Sequence, residues 1–598
     1  MCGINGIITQ IASVNLDVEI QLMNKAISHR GPDASGYLTY EGLALGHTRL
    51  SILDLSDSGN QPMCSDFDTQ IVFNGEVYNY IEIRDELCKL GYTFRTGTDT
   101  EVILAAYDAW QEECVHRFNG MWAFILLDRK RKKVFCSRDR FGVKPFYYTF
   151  QNKIFRISSE IKPLLPFLNI VKANREALLN YLVLDICDEG EYTFFSDVFR
   201  LLPAHNLVID LKTGIHQIYR YYQLQAHSEQ KSMNIEETIT KLGALMASSV
   251  ELRMRSDVKV GSCLSGGLDS SFISSLAAEK SKILGAPPFL AFTAKSSDSR
   301  NDESGYAKQV VENSGMDWVI LEASDYDFFS DMDSIIHTQE EPFRSPSIFL
   351  QYGIMRDAAQ KKCKVLLDGQ GGDETFLGYE RYYIAYLRGL PLHALPSAML
   401  DIVRHSKLSW KGLFMMYAYM SFPILREKRL RARCSFIKKE LLDLVSWEYL
   451  KELNEKDVTK LQVNEISRFN LPALLRYEDK NSMRFAIETR LPFIDYRIVE
   501  FALSIPVAHK INRGWTKYAI RKAANSVMPR SITWRTNKIG FEPPVSSWLS
   551  KSEYFMKAIH QSNLLKELSS NIPPTIKDKN LLWKMYNIAK WEEIFSIK

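Results

Sequence analysis

The chain has 598 residues, 46% of them hydrophobic and 24% charged, with a formal net charge of +4. That length exceeds what one hydrophobic core usually serves, so two domains are expected, and the near-neutral balance asks for neither a nucleic-acid nor a membrane partner. No uncharged apolar run approaches about 18 residues, which excludes a transmembrane helix, and the apolar stretch 3–8 lacks the basic flank and length of a signal peptide. Nine cysteines (Cys2, Cys64, Cys88, Cys114, Cys136, Cys187, Cys263, Cys363 and Cys434) are scattered without a C-x-x-C pair. Their spacing argues against a zinc ribbon and for reduced thiols in a cytoplasmic protein.

In chain order, the first residue with chemistry to offer is Cys2. Cysteine is small enough for Met1 to be trimmed ahead of it. Trimming would leave a thiol beside a free α-amine that titrates near ~7.7–8.0, a nucleophile and a general base on one residue. Over the first ~200 residues, β-rich segments bounded by Gly, Asp or Asn alternate with turns: "GINGIITQI", "YLTYEGLALGHTRLSIL", "TQIVFNGEVYN", "MWAFILLD", "KVFCSRD" and "KPFYYTF". Two helical patterns interrupt them. "YIEIRDELCKLG" closes on Gly91, and "DTEVILAAYDAWQEE" starts with Asp99 or Thr100 as its N-cap. The polar stretch 226–234 reads as a linker. Beyond it an amphipathic helix, "IEETITKLGALMASSVELRMRS", precedes the short apolar strands "DVKVGSCL", "PPFLAFTAK", "DWVILEA" and "CKVLLDG". Strands separated by helices predict a parallel sheet. From 390 onward the pattern is mainly helical, and the basic cluster "REKRLRARC" (426–434) reads as a solvated helix face.

Four islands accompany Cys2: "HRGPD" (29–33), "HTRLSI" (47–52), "FNGEVYN" (73–79) and "TGTDTE" (96–101). Singly each is a loop or a turn; together they supply what a thiol needs to hydrolyse an amide. Arg49 can hold a carboxylate in a planar fork. Asp99 and Glu76 are candidates for an ammonium, and the Asn74 side chain with the Gly75 backbone N–H can hold an oxyanion. With "FNGMWAFILLD", "RDRFGVKPFYY" and "SSEIKPLL" these islands resemble the class II glutamine amidotransferase domain, an N-terminal-nucleophile hydrolase. The resemblance implies an α/β/β/α sandwich over residues 2–210. It also implies Cys2 as nucleophile, Asn74 and Gly75 as oxyanion donors, and Arg49, Asn74, Gly75, Glu76 and Asp99 as glutamine ligands.

"VGSCLSGGLDSSFISSLAAEK" (260–280) runs strand, glycine loop, helix, so the backbone N–H groups from Ser265 to Asp269 can cradle an anion. The chain contains no Gly-Lys pair, which excludes a Walker A loop. "SGGLDSS" instead resembles the PP-loop of ATP pyrophosphatases. "LLDGQGGDETFLGY", "LLRYEDKNSMRFAIETRLPFID" and "TKYAIRKAANSVMPRSITWRTNKIGFEPP" are similar to the synthetase domain of glutamine-hydrolysing asparagine synthetases, here 234–598. That resemblance implies a doubly wound parallel sheet with additional helices. Its ATP contacts would be Leu264, Ser265, Gly266, Gly267, Leu268, Asp269 and Ser270, with Gly369 and Lys517. It further implies Mg²⁺ on Asp269 and Asp373, a catalytic role for Lys517, and often a homodimer.

Asparagine synthesis from aspartate, glutamine and ATP, with ammonia carried between the two sites, is therefore expected. One position departs from the family: Gln370 replaces a glutamate thought to take a proton from ammonia. If the segment stays extended, Asp368 faces the same side and takes over that role. The departure keeps open an amidotransferase of the same mechanism acting on another carboxylate, for instance a sugar acid of a surface polysaccharide. A non-catalytic regulatory or storage homologue is disfavoured by retention of Cys2, Arg49, Asp269, Asp373 and Lys517.

Overall fold

The computed structural model describes residues 1–598 apart from 226–231, 297, 299–300, 323, 537–544 and 551. Most of the expected linker and the end of the 516–544 motif lie outside the described residues. The N-terminal half contains strands β1 (Gly3–Thr9), β2 (Ala34–Tyr40), β3 (Leu43–Arg49), β4 (Met63–Cys64), β5 (Thr69–Val77) and β6 (Gly120–Asp128). They are followed by β7 (Lys133–Arg138), β8 (Tyr147–Gln151), β9 (Ile154–Ser158), β10 (Phe199–Arg200), β11 (His205–Asp210) and β12 (His216–Arg220). Two antiparallel sheets result, in the orders β10-β8-β9-β1-β3-β2 and β12-β11-β7-β6-β5-β4. The second runs on to Arg220, past residue 210, because β12 pairs with β11.

Period-2 alternation explains how the sheets stack. Ile4 and Ile8 of β1 and Leu43 and Leu45 of β3 meet Val72 of β5 and Ile125 and Leu127 of β6 in one apolar layer. Helix α1 (Leu16–Ala26) buries Ile20 and Met23 on the outer face of the first sheet. Helices α2 (Tyr80–Lys89) and α3 (Asp99–Trp110) pack with Phe73 and Phe124 outside the second. This is the expected four-layer sandwich, with a helix more than the two the periodicity showed. Sequence periodicity also missed α4 (Arg175–Leu184), which is buried along most of its length and so lacks a polar face. Helix α2 ends as read: Tyr92 N–H reaches Leu87 O at 3.1 Å, and Gly91 adopts φ +96°. The N-cap of α3 is Thr98, not Asp99 or Thr100; its hydroxyl accepts the Glu101 N–H at 3.2 Å.

The C-terminal half begins with α5 (Ile235–Arg253), started by a capping box between Asn234 and Glu237. Its sheet is parallel throughout, in the order β15-β14-β13-β16-β17, from β13 (Val260–Cys263), β14 (Leu290–Lys295), β15 (Asp317–Glu322), β16 (Val365–Leu367) and β17 (Glu488–Arg490). Along β14, Leu290 and Phe292 enter one core and Ala291 the other, as a sheet covered on both faces requires. The chain leaves β13 toward β14 on one side and places β16 on the other. The crevice beyond their carboxyl ends is thus a topological switch point, where such sheets bind ligands.

Buried charges tie the halves together. Arg30 makes a fork to Asp479 at 2.8 and 3.1 Å, Lys144 lies 3.4 Å from the same carboxylate, and Arg490 of β17 lies 3.4 Å from Glu76 of β5.

Candidate active sites

Cys2 leads into β1. Its backbone N–H donates to Asn74 Oδ1 at 3.1 Å, and its carbonyl accepts Arg30 Nε at 3.1 Å. The residue is 8% exposed, and burial raises the thiol above its ordinary pKa. Asn74 is fully buried. With Oδ1 engaged by Cys2, its Nδ2 has no hydrogen-bond partner among the described residues. A buried N–H left open costs about 1–3 kcal/mol, a cost that a ligand oxygen would remove. The neighbouring Gly75 is required sterically, since a Cβ there would overlap the Met121 carbonyl on β6.

A cavity of about 40 Å³ adjoins the thiol, lined by Cys2, Arg49, Gly75, Glu76 and Asp99 among others. Asp99 is not a cap because its Oδ2 turns inward to accept the Val77 N–H at 2.8 Å; burial pushes its pKa up to about 6. Burial and the nearby Asp99 push Glu76 up as well, while Arg490 opposes them. Arg49 reaches the cavity, yet its terminal nitrogens already donate to the Ser56 carbonyl at 2.6 Å, to Asn60 Oδ1 at 2.9 Å and to the Asp54 carbonyl. The expected free fork is therefore engaged with the 53–60 loop.

The second site is the crevice beyond β13 and β16. After Cys263 the chain turns through Gly266 at φ +76° into helix α6 (Leu268–Ile283). Its first-turn N–H groups lack intrahelical acceptors by geometry and so can take an anion. Two of the expected cradle donors are already used: Ser265 N–H reaches Ser270 Oγ at 3.2 Å, and Gly267 N–H reaches Ser265 Oγ at 3.2 Å. Lys517 is 4% exposed and bridges the two acids, contacting Asp269 and lying 2.7 Å from Asp373 Oδ1. Glycines fit this cluster closely. A Cβ on Gly372 would crowd Asp269, one on Gly369 would crowd the Ser270 N–H at 2.9 Å, and one on Gly378 would overlap Asp373 and Lys517.

These donors suit magnesium. Asp269 Oδ1 is buried with no hydrogen-bond partner among the described residues, and two carboxylates already share one cationic group, the Lys517 ammonium. A hard cation that also takes phosphate oxygens needs one or two carboxylates.

The expectation of an extended segment at 368–370 fails. Strand β16 stops at Leu367, and Gln370 and Gly371 turn, Gly371 with φ +88°. A Cβ at 371 would overlap Ile494, so the turn is packed in place. Asp368 instead faces Glu478 and Cys263, with the backbone of Gly369 and Gln370 close enough to favour its carboxylate form. Burial raises Asp368; burial and then Asp368 raise Glu478 well above the carboxylate range.

The asparagine synthase family model matches residues 241–582, more than half of the chain, and the glutamine amidotransferase domain model matches residues 1–222. The chain belongs to the asparagine synthase family. Asparagine synthetase (glutamine-hydrolyzing) 1 of Bacillus subtilis is 29% identical over 99% of this chain and 97% of its own length. The same organism's asparagine synthetase 3 is 29% identical over 92% and 89%. A relative from Methanocaldococcus jannaschii, also named as an asparagine synthetase, is 38% identical over 65% of this chain and 79% of its own. The protein is accordingly a glutamine-hydrolysing ligase of amidotransferase type. No described helix is long and apolar enough to cross a membrane.

Four residues of this asparagine synthase family member escaped the sequence reading: Arg30, Glu478, Glu488 and Arg490. Arg30 stood in "HRGPD", and the others in "RYEDKNSMRFAIETRLPF". No local signal marked them, since Arg30 and Glu478 stand among other polar residues, and only the fold shows which charge each one meets.

Proposed function

We propose that the protein makes asparagine from aspartate, ATP and glutamine in the cytoplasm, with ammonia passed internally from one site to the other. One observation carries this reading: the helix Leu471–Arg484 touches both sites. Asp479 holds Arg30, which donates to the Cys2 carbonyl, while its neighbour Glu478 faces Asp368 at the nucleotide crevice. Met1, Arg30, Lys144, Asp479, Glu488 and Arg490 between the sites are all buried, which supports a route closed to water. Nine free cysteines support a reducing compartment.

At the crevice, the substrate carboxylate attacks the α-phosphorus of ATP, and pyrophosphate leaves from the loop 264–270. Lys517 follows the phosphate charge, releasing Asp269 and Asp373. These two carboxylates would hold Mg²⁺, which when bound neutralises the phosphates. At the other site, removal of Met1 frees the Cys2 amine, which takes the thiol proton. The thiolate attacks the glutamine amide, Asn74 Nδ2 and the Gly75 N–H stabilise the oxyanion, and the protonated amide nitrogen departs as ammonia; water then hydrolyses the Cys2 thioester, releasing glutamate and restoring the thiol. Arg49 and Asp99 hold the two charged ends of glutamine. For Arg49 this means exchanging a loop carbonyl for the substrate carboxylate. Ammonia then attacks the acyl-adenylate, AMP leaves, and Asp368, in place of Gln370, accepts the proton.

The test is pyrophosphate release across a panel of carboxylic acids with ammonia supplied. Aspartate is expected to give the highest kcat/KM, with asparagine and AMP as products. Release with a sugar acid and none with aspartate would overturn the acceptor assignment and leave the amidotransferase chemistry standing.

A further inference from the structure

Residues 391–433 carry a feature that neither site uses. The helix Trp410–Ser421, "WKGLFMMYAYMS", is apolar nearly all round, a composition that belongs in a core. Yet it buries only Leu413. Phe414 is 70% exposed, and beyond the turn Ile424 is 72% and Leu425 61% exposed, with Trp410, Met415 and Phe422 also standing in solvent. Single exposed apolar residues need no explanation, but six large ones within sixteen residues of chain form a patch that does.

The next helix, Pro423–Arg433, is basic. Its Arg426 and Arg429 lie over the Tyr419 ring, 5.1 and 5.8 Å from its centroid, so the cationic surface adjoins the apolar one in space. Arg431 pairs with Glu427 and Arg433 with Asp578; Arg426, Lys428 and Arg429 have no ion pair among the described residues. The segment 391–433 holds eight Lys and Arg against Asp401 and Glu427, net +6, within a chain whose total is +4. The near-neutral total thus conceals one strongly cationic face.

We propose that this face is a peripheral docking surface for an anionic lipid bilayer. Trp410, Phe414, Met415, Phe422, Ile424 and Leu425 would enter the headgroup–acyl boundary, with Lys411, Arg426, Lys428 and Arg429 at the lipid phosphates. Charge complementarity and side-chain type select this occupant. Aromatic and long aliphatic side chains flanked by Lys and Arg suit a membrane interface. A second copy of the chain would place like charges opposite one another. An acidic peptide would answer the cations but leave the apolar side chains without a counterpart.

The test uses the full-length protein and sedimentation with vesicles of phosphatidylcholine, with or without phosphatidylglycerol. Association is expected only with phosphatidylglycerol, and it should weaken as salt rises. The double variant Lys428→Glu/Arg429→Glu should lose about tenfold or more in affinity. The triple variant Phe414→Ser/Ile424→Ser/Leu425→Ser should lose at least as much. Both should retain ammonia-dependent synthesis. Brominated acyl chains give a readout on the wild-type protein alone: they should quench tryptophan fluorescence, and Trp410→Phe should remove part of that quenching. Three results would overturn the proposal. The first is no association with phosphatidylglycerol vesicles. The second is association indifferent to the triple variant, meaning surface charge alone. The third is a wild-type dimer that the triple variant splits, or saturable binding of an acidic peptide without vesicle binding; either would assign the ridge to a protein partner.

Discussion

Glu488 Oε2 holds the α-ammonium of Met1 at 2.8 Å, with both groups fully buried. The amine of the untrimmed chain is therefore committed to a carboxylate of the synthetase half, while Cys2 nitrogen is an amide that donates to Asn74 and cannot act as a base. Retention of Met1 should abolish glutaminase activity and glutamine-dependent synthesis, and leave ammonia-dependent synthesis intact. Cys2→Ala should behave the same way. Mass spectrometry of the N-terminus, paired with glutamate release, checks this. Turnover of glutamine by a preparation shown to retain Met1 would remove the N-terminal-nucleophile assignment.

The open Nδ2 of Asn74 yields a second expectation. Asn74→Ala should lower the glutaminase kcat by roughly 10²–10³, the usual loss of one preorganised oxyanion donor. The KM for glutamine should change little, because the donor acts on charge that develops after binding. Because Asn74 Oδ1 also fixes the Cys2 N–H, Asn74→Asp is the companion variant: it keeps that acceptor, removes the amide N–H and sets a carboxylate against the oxyanion, so its loss in kcat should be at least as large. Wild-type kcat in Asn74→Asp would argue that the residue only positions Cys2.

Much of this was legible in the sequence, and the reasons differ by element. The β-rich segments of the first half alternate over enough residues to show their period, and Gly91 ends α2 as read. Strand β17 was missed because three residues, Glu488–Arg490, cannot display a period and two of them are charged. Asp99 looked like a cap because an acid at a helix start usually is one. The burial that turns it toward Val77 comes from packing, which no local pattern records. The parity argument for Asp368 failed because Gly371 turns the chain immediately after a three-residue strand.

Glutamine binding should carry the titration of Asp99. Burial raises its pKa to about 6, so the carboxylate form that pairs with an ammonium is present above that pH and is lost as pH falls through it. The kcat/KM for glutamine should decline below pH 6 by up to about tenfold per unit. Asp99→Asn should flatten that limb and raise KM, with ammonia-dependent synthesis unaffected at fixed free ammonia. An acid limb unchanged in Asp99→Asn would reassign it to another group.

Arg490 serves both halves: its side chain faces Glu76 and lies 2.6 Å from Glu488, and its carbonyl accepts the Asp368 N–H at 3.0 Å. Arg490→Met leaves Glu76 without its buried cation and Glu488 with the N-terminal ammonium as its remaining ion pair, which should cost about 3–5 kcal/mol of stability. Chemical denaturation of the full chain measures the loss, and a change below about 1 kcal/mol would show the three charges to be better solvated than their burial implies.

The final expectation concerns the carboxyl pair opposite Gln370. A neutral carboxamide cannot take a proton from attacking ammonia, so a carboxylate must if any side chain does. Burial raises both carboxyls, and Asp368 raises Glu478 further, so Asp368 is the readier of the two to ionise. Asp368→Asn should therefore slow amide formation by roughly 10²–10⁴ while ATP–pyrophosphate exchange, measured with the acceptor present, survives. Glu478→Gln still offers Asp368 a donor, so it should cost far less. Gln370→Glu in the Asp368→Asn background should restore part of the rate by returning a carboxylate to the turn. The competing role for Asp368 is to hold the loop 369–371 against the nucleotide through the backbone of Gly369 and Gln370. In that case exchange and synthesis fall together, and Gln370→Glu rescues neither.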